Sequence, residues 1–252
     1  MKVLFVLWEP SKRSREDREL ALFLGALPAI RALREAGDCV VSGMALDLDD
    51  THSRIPSPSP FPLFTDKPVG VLGLWLEALE DHGQITPILE AHGFQVAAYH
   101  VEESVYTDYG GNAHSGPRDW PDGTRSPGVS AVTLFEKPSR LPYDEWQRRW
   151  FGRMSPVSEE IQPRQRYVRN RVLDVLTPDA PPFAGVVEEV FASGRHIRNP
   201  FLFYGAKNPW QLVVNLVRLL SAVTSFLTLW RIQTVVMSEH LLETPLNTGS
   251  PE

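Results

Sequence analysis

The stretch VAAYHVEESVY at 96–106 gathers more groups able to move protons than any other strand-like run in the chain. Successive side chains of a strand point to opposite faces. Val96, Ala98, His100, Glu102, Ser104 and Tyr106 therefore share one face, and Ala97, Tyr99, Val101, Glu103 and Val105 share the other. The first face is the more polar. If helices cover the apolar face, His100, Glu102, Ser104 and Tyr106 look into a cleft. Aligning Glu239 with Glu103 puts Val236, Ser238 and His240 on the equivalent face of a second strand. His100, Glu102 and His240 would then approach one cavity from opposite sheets, an arrangement suited to general acid/base work on an organic substrate. A hydrogen-bonded structural pair, or simple exposure at a strand end, explains the same residues and stays open.

Other side chains extend this set toward ligand binding. Tyr109, His114 and Trp120 stand among the Gly and Pro residues of 107–128, which suits a loop over a pocket mouth or an ordered linker packed on the surface. Arg169 and Arg171 are unusual on the strand RYVRNRV; they either bind a carboxylate ligand or pair with Glu188 and Glu189. Together with Ser104, Tyr106 and Ser238, these make the expected ligand-binding residues. Trp146 and Trp150, four apart on one helix face, read as core first and ligand shelf second. His52, His82, His92 and His196 fall in loops or at helix ends and read as solvated. No Cys/His spacing suits zinc or an iron–sulfur cluster, and no Gly-rich turn follows a strand as a dinucleotide site requires, so neither metal nor cofactor is expected.

Positioning these groups falls to 252 residues with 42% hydrophobic content, enough for one large domain or two small ones. The net charge of −6 comes without a Lys/Arg stripe, so the footprint that a phosphate backbone requires is missing and nucleic acid is not an expected partner. A single cysteine, Cys39, excludes an internal disulfide and reads as a buried inert thiol. The run after Met1 is too short for a signal peptide, which leaves the cytoplasm as the expected compartment.

Periodicity divides the chain into two similar halves. VLFVLWEPS at 3–11 lines up with AVTLFEKPS at 131–139, and a helix follows each. Residues 15–36 carry an apolar stripe through Leu20, Phe23, Leu27, Ile30 and Leu33 and end at Gly37; a strand then runs from Cys39 to Leu46. In the second half, 129–193 reads strand, helix, strand, then a short helix or strand. The order β-α-β-(β)-α-β thus occurs twice, the ferredoxin-like pattern. One such sheet leaves a face bare, so the expected fold is α+β, two ferredoxin-like repeats forming a pseudo-dimeric α/β barrel. The expected divisions are 1–110, a linker at 111–128, 129–245 and a frayed tail at 246–252. Internal pairing of the halves predicts a monomer, or a homodimer built through outer surfaces.

Two segments stand apart. Residues 47–68 are rich in Pro and Ser and read as an extended surface loop. The helix at 212–230 approaches the length of a bilayer span, yet Asn215, Arg218, Ser221, Ser225 and Thr228 draw a polar stripe along it, so it reads as packed on the sheet with one edge in water rather than as a membrane helix.

The residues from Val129 to Ser193 also carry a resemblance. LFEKPS, Trp146 and Trp150, Arg166-Tyr167-Val168-Arg169-Asn170, and Gly185 with Glu188 are similar to the pattern of the EthD family of dimeric α/β-barrel proteins. The match covers about a quarter of the chain. Where relatives usually carry a His before a small-Pro-apolar triplet, this chain has Met154 before Ser155-Pro156-Val157. The resemblance implies binding, with cofactor-free acid/base or oxidative conversion, of a small hydrophobic organic molecule of polyketide-like, aromatic or ether type. Its rival is a non-catalytic carrier or accessory protein. Haem-binding relatives exist, but no proximal His is assignable here.

Overall fold

The computed structural model describes residues 1–58 and 66–245. Its strands are β1 (Lys2–Trp8), β2 (Val41–Leu48), β3 (Gly70–Leu76), β4 (Gln95–Thr107), β5 (Val129–Phe135), β6 (Arg164–Val175), β7 (Gly185–Phe191) and β8 (Ile232–Glu243). They close into one antiparallel barrel in the order β1-β3-β2-β8-β5-β7-β6-β4. Within it, β4-β1-β3-β2 and β8-β5-β7-β6 repeat a single strand order. Two seams join these sheets, β2 with β8 and β4 with β6. Closure leaves no edge strand whose unpaired backbone groups would recruit another chain.

The shorter strands form because nearly every side chain on them is covered, and the longer β4 and β6 are covered over part of their length. In β1, Val3, Phe5 and Leu7 pack against helices, while Leu4, Val6 and Trp8 point into the barrel. Covering the first sheet are a helix over 15–36 and the helix His82–Ala91; covering the second are a helix over 143–161 and the helix Pro209–Phe226. The first closes with Gly37 at φ 81, a left-handed position that glycine takes without strain. Behind the second sheet a Cβ on Gly185 would stand 2.7 Å from the Phe135 and Trp150 rings, so only glycine lets those rings lie on the strand.

Several expectations are corrected. Strand β2 runs on to Leu48, because Leu46 and Leu48 both reach the core behind the first sheet; Asp47 is therefore a strand residue and not part of a loop. The segment 185–191 is a strand. Helix Pro209–Phe226 buries Asn215, Leu219, Ala222 and Phe226, and Asn215 donates to the Tyr204 carbonyl. Its water-facing side is mixed: Trp210, 76% exposed, and Val217, 60% exposed, share it with Arg218 and Ser221 of the polar stripe, whereas Asn215 of that stripe is buried. Among the described residues no helix is long and apolar enough to cross a membrane. The frayed tail at 246–252 and part of the 47–68 loop lie outside the described residues.

Candidate functional site

The polar face of β4 points outward. Val96 and Ala98 belong to the core under the first sheet's helices, whereas Ala97, Tyr99 and Val101 belong to the core inside the barrel. His100, Glu102, Ser104 and Tyr106 follow Val96 and Ala98 to the outer face, and Glu103 faces inward. The physical reason is length. Strand β4 has 13 residues and outruns the helix that covers its start, so polar groups farther along the outer face meet solvent and β6 rather than a cleft.

The three proposed catalytic groups consequently lie apart. His100 Nδ1 is 3.2 Å from Asp174, Glu102 pairs with Arg171 at 2.7 Å, and both sit on the β4–β6 seam. His240 lies on the β2–β8 seam, 3.7 Å from Asp50 and with its ring 5.0 Å from Phe23. Ser238 donates to the same Asp50 at 2.8 Å. Burial alone would raise Asp50; His240, Ser238 and the His52 and Ser53 amides outweigh it and hold the carboxyl below its usual range. This cluster ties the segment after β2 to the barrel wall.

Inside the barrel, an apolar layer of Leu4, Val6, Tyr99, Val132, Leu134, Val186 and Met237 fills the middle. At one end lies a second layer, built from ionisable groups. Arg166 donates to Glu239 at 2.7 Å and to Asp108 at 3.2 Å and stands 3.7 Å from Glu188. Lys2 pairs with Glu103 and is 3.7 Å from Glu188. Asn170 donates to Glu188 at 2.8 Å. Asp47, 5% exposed, has no ion pair, and its Oδ1 has no hydrogen-bond partner. Burial, and then the Glu188 and Glu239 carboxylates, push its carboxyl well above the usual range, so the site favours the protonated form of Asp47. Burial opposes the charge on Arg166, but Glu239, Glu188 and Asp108 outweigh it and keep the guanidinium firmly protonated.

This layer opens to a pocket of about 280 Å³ at the barrel mouth. Glu103, Arg166 and Tyr109 supply its polar wall; Met44, Trp75, Val105 and Leu241 supply its apolar one. The 107–128 loop covers this end. Tyr109 donates to Glu239 at 2.7 Å, Ser126 donates to the same oxygen at 2.5 Å, and Trp120 stacks edge-on against Tyr109 at 4.8 Å. Burial and Glu239 raise the Tyr109 phenol above its usual range. Tyr109 thus reaches the mouth with Trp120 packed against it, while His114 is exposed and does not line the pocket. At the opposite mouth a pocket of about 420 Å³ is lined by Trp8, Ala97, Pro181, Phe183 and Gln233.

Arg169 pairs with neither Glu188 nor Glu189. Glu189 is taken by Arg164 at 2.6 Å, and Arg169 bonds Ser104 at 2.7 Å and Ser155 at 3.0 Å beneath the Tyr106 ring. Ser104, Tyr106 and Arg169 are therefore neighbours, on the outer face. A bulge in β6 between Arg164 and Arg166 sends these two arginines, of equal parity, to opposite faces. That bulge leaves no mark in the sequence. Asp47 does leave one, an acid alternating with Leu46 and Leu48 in a strand covered on both faces.

The chain superposes on the crystal structure of an anthrone oxidase-like protein with a TM-score of 0.52, at 9% identity over 99% of this chain and 97% of that one. It superposes on a dye-decolorizing peroxidase from Bacteroides thetaiotaomicron with a TM-score of 0.50, at 9% identity over 96% and 93%. The shared architecture is the dimeric α/β barrel. Identity this low speaks to fold alone. No family model matches the sequence, and no curated protein matches it. Among the described residues no group of three or more His, Cys, Asp or Glu could hold a metal ion.

Proposed function

We propose that the protein binds a small hydrophobic organic molecule, polyketide-like, aromatic or an ether, at the loop-covered barrel mouth and converts it by cofactor-free proton transfer. The apolar wall of Trp75, Met44 and Leu241 receives the body of the ligand, and Arg166 faces its polar end. Glu103, paired with Lys2, supplies the carboxylate at the pocket wall, and Asp47, in the ionisable layer on which the pocket opens, is the acid whose protonated form the site favours. The EthD-like residues of 129–193 support the same substrate class. The observation that carries the reading is Asp47. A buried carboxyl without an ion pair costs stability, and a barrel needing only a core would place an apolar residue there.

The test is a screen of polyketide-like, aromatic and ether compounds by thermal shift, followed by turnover of each binder. Asp47→Asn should lower turnover by about 10²–10⁴-fold while binding persists. The same variant should alter stability against pH in a defined direction. Because the folded carboxyl titrates above its unfolded value of 3.8, its contribution is complete below that pH and is lost as pH rises through the folded value. Asparagine should remove this decline. Wild-type turnover in Asp47→Asn would end the acid/base reading, and binding without conversion in the wild type would make the protein a carrier.

A further inference from the structure

Five cationic side chains are buried among the described residues: Lys2, Arg18, Arg164, Arg166 and Arg169. Four meet carboxylates. Lys2 has Glu103, Arg18 has Glu9 and Asp49, Arg164 has Glu159 and Glu189, and Arg166 has Glu239. Arg169, 6% exposed, has only the Ser104 and Ser155 hydroxyls and two aromatic faces, Phe151 at 4.0 Å and Tyr106 at 4.8 Å. Its Nε is buried without a partner. A guanidinium does not shed its proton, so a positive charge stands here against no negative one.

We infer that Arg169 is the base of a binding site for a small organic carboxylate, on the outer face of the barrel where β4 and β6 meet the helix over 143–161. Phe151 and Tyr106 lie against the guanidinium, and the edge that carries Nε is shut off from solvent with no hydrogen-bond partner. A planar carboxylate matches that edge with two parallel hydrogen bonds. Ser104 accepts from Arg169 and still has a hydroxyl hydrogen to donate to the ligand. Tyr106, 37% exposed beside a half-buried Ser104, marks the side from which a ligand enters and gives its apolar part a ring to lie on. A doubly charged anion fits less well, because the neighbouring cations Arg164 and Arg171 are already held by Glu159 and Glu189 and by Glu102. The site is separate from the barrel mouth and stands or falls independently of the reading given above.

The experiment is a series of thermal melts in rising sodium benzoate, with sodium chloride holding ionic strength constant and sodium phosphate as a parallel arm. Benzoate should raise the melting temperature saturably in the wild type, and phosphate should not. Arg169→Met should abolish the response while melting at or above the wild-type temperature without ligand, since it removes an unmatched charge and keeps the volume. Ser104→Ala should weaken the benzoate response several-fold and keeps the test open if Arg169→Met fails to fold. No saturable response in the wild type, an unchanged response in either variant, or an equal response to phosphate would overturn the assignment.

Discussion

The layer behind the first sheet is filled by Val3, Phe5, Leu7, Leu22, Ile30 and Ile85, side chains that ask nothing of their neighbours but shape. Behind the second sheet stand Phe135, Trp146, Trp150, Tyr167 and Phe226, with Arg164 and Arg169 laid against the Tyr167 and Phe151 rings and Ser155 and Ser158 buried among them. The strand order is the same; the chemistry is not. Aliphatic packing can hold a sheet in place, whereas ring faces, guanidinium groups and hydroxyls can also recognise something. On its helix-covered face, therefore, the first sheet reads as scaffold, and the second carries a surface for recognition.

The largest effect expected from this comparison comes from separating the halves. Residues 1–110 alone keep their aliphatic layer but lose the partners of β2 and β4, and should be insoluble or self-associating in size-exclusion chromatography. A stable soluble monomer of that fragment would break the view that the layer alone is insufficient. Next, Trp150→Ala in the full chain should cost about 3–5 kcal/mol in urea unfolding, as removal of a buried aromatic does. A loss below about 1 kcal/mol would recast Trp150 as a ligand shelf and sharpen the contrast between the two layers. The smallest effect belongs to His100, which lies outside both layers beside an exposed Asp174. His100→Ala should shift stability by no more than about 0.5 kcal/mol; a larger loss in a thermal melt would place that histidine in the core.

Much of the fold was legible because each half alternates strand and helix in one order, and an open ferredoxin-like sheet cannot stay uncovered. The faces of β4 were not. Polarity distinguishes two faces only when one is wet, and here Ala97, Tyr99 and Val101 are as thoroughly covered as Val96 and Ala98. Aligning Glu103 with Glu239 put both on one face, and they do share the barrel interior, although the chemistry had been assigned to the other face. The mark that Asp47 leaves between Leu46 and Leu48 is easily overridden, since DLDD and the Pro- and Ser-rich stretch after it look like the start of a loop. Arg169, Ser104 and Tyr106 were each visible as candidates, but their convergence depends on the register that pairs Ser104 with Arg169 across the seam.

The position of β8 also orders events in time. Its residues Ser238–Glu243 pair with β2, and Ile232–Met237 pair with β5, so the last strand of the chain is a central stave between the two sheets. While the protein is being synthesised, Leu46 can pair with Leu72 of β3, but its other edge has no partner until His240 has left the ribosome. The nascent first half must wait with the outer edge of β2 unpaired, which makes closure a late, non-local step and this barrel a slow folder for its size. A chaperone that shields β2 would act on the interval before the final stave arrives.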